Sequence, residues 1–117
     1  MRTSRKQINK ILQKQIRHTL VQALADMKSP EEIETFVNGF FTEAEIETFS
    51  KRLAIAYWLK KGRSYTNIKE NLKVSSATIA SVQEQIEKEG LQLAIKKMEA
   101  DEWANVWTER IKGFIGK

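Results

Sequence analysis

The chain has 117 residues, a net charge of +5, one histidine and no cysteine. Its length suits one domain with a core of its own, and the lack of cysteine excludes disulfides and thiolate metal sites, which favours a reducing intracellular compartment. No stretch approaches the roughly 18 apolar residues of a membrane span. We therefore expect a cytoplasmic protein that contacts no membrane and uses no metal or cofactor.

Helices are the only secondary structure that the composition favours. One proline and five glycines leave little turn chemistry for a sheet, and no alternating strand pattern is present. The sequence predicts an all-α fold of about six helices joined by short turns. The first helix begins near Arg5, because Ile8, Ile16, Leu20 and Leu24 recur at helical spacing. One face of it needs a partner.

A capping signal marks the second helix. Ser29 can cap it, Pro30 suits the first helical position, and Glu32 completes a capping box. The helix is short and ends around Gly39.

The third helix repeats the device with Thr42 as the cap and Glu45 three residues later. It runs to about Lys61 and is closed by Gly62. Its centre, Leu53–Leu59, is apolar on nearly every side, which predicts a helix buried all round, either by neighbouring helices or by a second subunit.

The next stretch, "SYTNIKENLKVSSATIASVQEQI", has the pattern of a helix-turn-helix. Apolar residues occur where two short helices would pack: Tyr65, Ile68 and Leu72 before the turn, Val74 in it, and Ile79 and Val82 after it. Ser75 is a natural cap for the second of these helices. The same pattern also occurs at packing corners that never touch nucleic acid.

Small outward side chains at the start of the second helix would let it approach base edges in a DNA major groove, while nearby cations would contact phosphates. Charge is segregated along the chain: residues 51–73 carry seven Lys or Arg and one acid, and residues 26–50 carry one base and seven acids. This segregation favours a face that binds a polyanion. The predicted DNA-binding residues are Lys60, Lys61, Arg63, Thr66, Lys69, Lys73, Ser75, Ser76, Ala77, Thr78, Ala80 and Ser81.

The last part of the chain is predicted to be an amphipathic helical segment after a break or bend at Gly90. Trp103 and Trp107 stand one helical turn apart, which favours core or interface packing over a ligand platform. We interpret residues 1–117 as a single helical domain: dimerisation helices in 1–40, the long helix and helix-turn-helix in 41–90, and the amphipathic segment in 91–117.

"FFTEAEIETFSKRLAIAYWLKKG" followed by "SYTNIKENLKVSSATIA" resembles the core of the tryptophan repressor family over about Phe40–Val82. That family is an intertwined, all-helical homodimer that binds operator DNA through paired helix-turn-helix units. The resemblance implies a homodimer bound to double-stranded DNA, with Lys69 at the position of a phosphate-contacting lysine. It also implies that Ser76, Ala77 and Ala80 face the bases.

The resemblance is incomplete at the family's ligand pocket. There, the tryptophan corepressor lies between an arginine of the long helix and an arginine of the recognition helix, and a following glycine leaves room for the indole. Arg52 matches the first arginine and Thr42 a pocket-side threonine, but Ser81 and Val82 replace the second arginine and the glycine. We expect that tryptophan does not regulate this protein, and the pocket for a small-molecule effector is incomplete.

The function expected from these features is sequence-specific, repressor-like regulation of transcription. An enzyme is disfavoured, because the acids lie in first turns of helices, where the helix dipole favours negative charge, and not in a convergent cluster. The alternative is a helical protein–protein interaction module with no nucleic-acid contact. The position of the basic residues discriminates between the two: a face shared with the start of the recognition helix favours DNA binding, and a scattered arrangement favours the interaction module.

Overall fold

The computed structural model describes the backbone of residues 8–115 and the side chains of residues 8–102. Within that range it contains six helices and no strand, which confirms the all-α prediction: α1 (Lys10–Ala25), α2 (Pro30–Phe40), α3 (Glu43–Lys60), α4 (Tyr65–Leu72), α5 (Ser76–Gln85) and α6 (Glu89–Ile115). None of the described helices is long and apolar enough to cross a membrane. The chain divides into two compact units, residues 1–43 and 44–117.

Helix α1 begins later than the sequence pattern predicts. The side-chain oxygen of Asn9 accepts hydrogen bonds from the backbone N–H groups of Ile11 (2.8 Å) and Leu12 (3.1 Å), so Asn9 caps the helix. Ile8 therefore precedes the helix, although its spacing fits the apolar pattern. Residues 1–7, which include the predicted start at Arg5, lie outside the described residues.

Helix α2 begins as its sequence signal predicts. The Ser29 hydroxyl accepts from the N–H of Glu32 at 3.2 Å, and Pro30 opens the helix. The Glu32 carboxylate accepts from the N–H of Lys28, one residue before the cap. Both side chains of the capping box therefore accept a backbone N–H, and the start of the helix has fewer N–H groups without a partner.

The first unit has apolar faces that it does not bury itself. Neither α1 nor α2 contains a buried residue. Ile16 is 55% exposed and Val21 is 57% exposed, although both belong to the apolar stripe of α1. Two phenylalanines of α2 extend this surface, since Phe36 and Phe40 stack with ring centroids 5.0 Å apart. The predicted need of α1 for a partner is thus not met within this unit.

The second unit holds the buried core, which α3 to α6 build together with the residue that follows α5. Its members are Ile55, Ala56, Ile68, Ile79, Val82, Ile86 and Ile95. Around them pack the half-buried side chains of Tyr57, Trp58 and Leu59. Within one chain only Ile55 and Ala56 of the apolar centre of α3 are buried, so the neighbouring helices do not enclose it, and burial all round by a second subunit stays a prediction.

A Schellman motif closes α3, as the glycine after it predicts. Gly62 has φ +81°, its N–H donates to the oxygen of Leu59 at 3.0 Å, and the N–H of Arg63 donates to that of Trp58 at 3.0 Å. A glycine adopts this left-handed conformation without a Cβ penalty. The chain can therefore turn sharply from α3 into α4.

The break before α6 does not lie at Gly90, which corrects the sequence prediction. Residues 86–88 interrupt the helices, and Gly90 lies in the first turn of α6. The side-chain amide of Gln92 donates to the carbonyl oxygen of Ile86 and so bridges the break. Trp103 and Trp107 lie on the helical backbone of α6, but the prediction about their packing falls outside the described side chains.

Candidate nucleic-acid interface

Helices α4 and α5 form the helix-turn-helix that the apolar spacing predicts. Ile68 of α4 and Ile79 of α5 are fully buried, and Leu72 and Val74 pack against the same core. Tyr65, at the start of α4, is 39% exposed and contributes less than expected. The pair of helices is consequently attached to the core through its inner face, and its outer face is free to carry polar and charged side chains.

The turn between them depends on an unusual backbone conformation at Lys73. This residue ends α4 with φ 57° and ψ 50°, and its N–H donates to the oxygen of Lys69 at 3.0 Å. Left-handed backbone costs a residue with a Cβ atom roughly 1 kcal/mol. This conformation is not predictable from the sequence, since glycine or asparagine is the usual residue there. It lets a turn of only three residues, 73–75, join the helices.

The start of α5 is capped and exposed. The Ser75 hydroxyl accepts from the N–H of Thr78 at 3.1 Å and lies 2.9 Å from the Thr78 hydroxyl. All the residues of this segment that were predicted to meet DNA have exposed, small side chains: Ser75, Ser76, Ala77, Thr78, Ala80 and Ser81. No bulky group therefore separates the start of this helix from an approaching surface.

An open cleft of about 560 Å³ separates the start of α5 from α3. Its lining residues are Thr48, Lys51, Arg52, Lys73, Val74, Ser75, Ala77, Thr78, Ser81 and Val82. Three of these are cationic and none is acidic, although Lys51 is bonded to Glu47 one turn earlier at 3.1 Å. A second cleft of about 400 Å³ adjoins it through Arg52, Ser81 and Val82 and adds Lys88. The α3-facing side of the recognition helix thus carries positive potential.

The predicted phosphate contacts fall into two groups along the chain. Lys69 and Lys73 lie beside the turn, exposed and with no ion pair among the described residues. Lys60, Lys61, Arg63 and Thr66 lie at the junction of α3 and α4. Lys60 and Thr66 are likewise exposed. The structure places the turn group next to the start of α5, whereas the junction group is at the other end of α4.

Arg63 is held by its neighbours. Its guanidinium carbon lies 4.1 Å from the centroid of the Trp58 ring, and its Nη1 donates to Oδ1 of Asn67 at 3.3 Å. Ser64, the next residue, caps α4 by accepting from the N–H of Asn67 at 3.1 Å. The guanidinium is consequently fixed at the start of α4 and still exposed.

Lys61 is directed towards α6. Its Nζ lies 3.2 Å from Oε2 of Glu102 and 3.7 Å from Oε2 of Glu99, and 5.3 Å from the centroid of the Tyr57 ring. Of the five basic residues predicted to contact DNA, Lys61 is the one with an ion pair inside the described part of the chain. Sequence reasoning missed this pairing because the partners lie far away along the chain.

The residues that match the family's ligand pocket have different surroundings. The Arg52 guanidinium lies 5.5 Å from the centroid of the Phe49 ring and lines both clefts together with Ser81 and Val82. Val82 is 4% exposed, so its side chain fills space in the core. Thr42 precedes α3 and belongs to the first unit. No cluster of histidine and carboxylate groups in the described part of the chain could hold a metal ion.

Comparison with known protein families gives one match: the model described as Trp repressor protein matches residues 5–99. The matched range includes the whole helix-turn-helix and ends within α6, before Glu102. Neither the curated proteins nor the solved structures gave a significant match.

Proposed function

The chain belongs to the Trp repressor family, and on that premise we propose that it is a sequence-specific, repressor-like regulator of transcription that binds double-stranded DNA as a homodimer. The family is one of DNA-binding helix-turn-helix regulators and not of enzymes. The match covers the turn and both of its helices, so the family assignment and the candidate interface concern the same residues.

One observation carries the proposal: the start of α5 is capped, exposed and bordered by cations. Ser75 caps the helix, Lys73 lies just before it, and Lys69 lies one turn earlier on α4. A recognition helix enters the major groove with its first residues, while the lysines beside it contact phosphates. The exposed side chains of this turn are those that such an approach requires, since they are too small to hold it away from the bases.

Specificity would come largely from DNA shape and from water. Serine, threonine and alanine at the start of α5 offer few of the bidentate contacts by which arginine or asparagine discriminates bases. The clefts beside α5 are open and lined by hydroxyl groups of Ser75, Thr78 and Ser81. Water can bridge such groups to base edges, and DNA deformability adds discrimination at positions that are not contacted.

The exposed apolar face of the first unit supports the homodimer. Burial of apolar surface stabilises by about 25 cal/mol per Å², yet α1 and α2 bury no residue of their own. A second copy that covers Ile16 and Val21 would recover this free energy. The two recognition helices would then enter successive major grooves about 34 Å apart on a roughly palindromic site.

Tryptophan is not proposed as the effector. Ser81 carries no cation to oppose Arg52 across the cleft, and the Val82 side chain occupies space in the core where the family has a glycine. Leaving a ligand's polar group without a partner costs about 1–3 kcal/mol. The cleft is cationic and roomy, but it lacks the arginine and the glycine between which the family, by the resemblance, holds its corepressor.

The test is fluorescence anisotropy of a labelled, mixed-sequence DNA duplex titrated with the protein at several salt concentrations. We expect binding that weakens with salt, with a log–log slope of several ions, because each neutralised phosphate releases about 0.9 of a counterion. A shared operator recovered by selection from random duplexes would then support sequence specificity. No binding even at low salt would contradict the proposal and favour the protein–protein interaction module.

A further inference from the structure

Lys61 stands at the end of α3 with more negative than positive charge around it. One ammonium and the two carboxylates of Glu99 and Glu102 sum to a net charge of −1 at this point. The three side chains are between 38% and 51% exposed, so the cluster lies on the surface and faces solvent. The two carboxylates therefore more than offset the Lys61 charge, which leaves Lys60 and Arg63 as the cations that a phosphate would meet at this junction.

The position of the cluster follows from the direction of α6. Leu91, near the start of α6, lines the same cleft as Arg52, and further along α6 Glu99 and Glu102 reach Lys61. These contacts place the start of α6 near Arg52, in the middle of α3, and Glu99 and Glu102 near the C-terminal end of α3. Nine residues of helix separate Arg52 from Lys61, a rise of roughly 13 Å. That distance exceeds the Debye length of about 10 Å at 0.1 M salt, so the acids act at the junction and only weakly at the start of α5.

The side chains of Lys60 and Arg63 show that the acids act on one cation and not on the whole junction. Lys60 has no ion pair with a described residue, and the partners of Arg63 are Trp58 and Asn67. Of these three cations, only Lys61 forms ion pairs with carboxylates. The residues that the family model matches end at Glu99, so Glu102 lies outside them.

We propose that Glu99 and Glu102 limit the affinity of the protein for DNA by binding the Lys61 ammonium and adding negative charge beside the phosphate path. Lys61 is then a positioning residue that attaches α6 to α3, and not a phosphate contact. This inference rests on the proposed function, since it concerns the same DNA surface. Removal of both acids frees one cation at the junction and changes the local charge from −1 to +1.

The experiment compares the wild type with Glu99→Gln/Glu102→Gln in the same anisotropy titration across salt concentrations. We expect the variant to bind about fivefold more tightly at 0.1 M salt and its log–log salt slope to be steeper by about 0.9, the value for one additional phosphate contact. Adding Lys61→Gln to this variant should abolish the gain in salt slope and reduce the gain in affinity, because the local charge falls from +1 to 0. Exposed ion pairs contribute little to the free energy of unfolding, so these variants should remain folded, which circular dichroism can verify.

A matched control separates this effect from net charge. Glu87→Gln/Glu89→Gln removes two exposed acids near the start of α6, away from Lys61, and should leave the salt slope unchanged. Equal gains in both double variants, or no gain in the first, would overturn the inference while the proposed function stands. A wild type that does not bind DNA at low salt would overturn both.

Discussion

The backbone N–H of Lys73 donates to the carbonyl oxygen of Lys69 at 3.0 Å, and this bond ends α4 with Lys73 in the left-handed region. The turn of the helix-turn-helix therefore depends on a left-handed backbone conformation that is unfavourable for a lysine. Lys73 is also a predicted phosphate contact, so its side chain supplies a charge for DNA binding while its backbone conformation destabilises the fold. Substitutions at this position can separate the two effects.

Lys73→Gly should stabilise the fold while weakening DNA binding. Glycine adopts φ 57° without a Cβ penalty, and after its own entropy cost we expect a gain of about 0.5–1 kcal/mol in the free energy of unfolding. Urea denaturation measures the gain. Lys69→Gly, inside α4, should instead lose about 1 kcal/mol. A Lys73→Gly protein less stable than the wild type would mean that contacts of the lysine side chain outweigh the strain.

Lys69→Ala/Lys73→Ala should weaken binding to all duplexes alike. Alanine keeps the Cβ atom, so the strain of the turn stays and only the two charges are lost. We expect the log–log salt slope to become shallower by about two units, measured by anisotropy. Lys96→Ala/Lys97→Ala, which removes two exposed lysines from α6, is the matched control and should change the slope little. Unchanged affinity in the first variant would place the DNA surface elsewhere.

Tyr57→Phe should not destabilise the protein and should stabilise it by up to about 1 kcal/mol. The Tyr57 hydroxyl is buried and has no hydrogen-bond partner in the structure as described, and a buried polar group without a partner costs free energy that phenylalanine does not. Thermal or urea denaturation provides the measurement. Tyr65→Phe, at an exposed site, should stay within about 0.5 kcal/mol. A marked loss at position 57 would reveal a bond to the hydroxyl.

L-Tryptophan should produce no saturable heat in a calorimetric titration of the protein. Ser81 and Val82 line the cleft beside Arg52, and the resemblance places the family's second arginine and its glycine at these two positions. Titration of the DNA-bound protein is the more sensitive test, because a ligand that favours DNA binding has a higher affinity for the DNA-bound state. Micromolar, saturable binding in either titration would refute the expectation.

Ile16→Glu should shift the protein from dimer to monomer. Burying a carboxylate in an apolar interface costs several kcal/mol, which predicts dimerisation at least about tenfold weaker. Sedimentation velocity distinguishes the 13.5 kDa chain from a pair of chains. His18→Glu changes a residue on the opposite side of the α1 helical wheel and serves as the control. A wild type that sediments as a monomer at all concentrations would remove the basis of the proposed dimer.

The sequence predicts the ends of helices well, but it does not predict which helix faces are covered by distant parts of the chain. The caps at Ser29 and Ser75 and the closing Gly62 are bonds within a few residues, so short motifs predict them. The apolar spacing of Ile68 and Ile79 likewise predicted the helix-turn-helix packing. The predicted start of α1 was wrong because the prediction followed the apolar spacing and overlooked Asn9, a capping residue that is visible in the sequence.

The remaining differences concern neighbours that are distant along the chain. Whether the centre of α3 is enclosed depends on which surfaces the other helices, or a second copy, can cover. The direction of the Lys61 side chain depends on where α6 places Glu99 and Glu102. Gly90 was expected to break the chain, but glycine is tolerated in the first turn of a helix, and the interruption lies at residues 86–88.

The stacking of Arg63 on Trp58 gives the junction a property that the free lysines lack. A flexible cation loses up to about 2 kcal/mol of side-chain entropy when it is immobilised on a partner. The indole of Trp58 and the side chain of Asn67 already restrict the guanidinium in the free protein. Most of the side-chain entropy is therefore lost when the protein folds and not when it binds a phosphate. An arginine held in this way would bind a phosphate at a smaller entropic cost than Lys69 or Lys73.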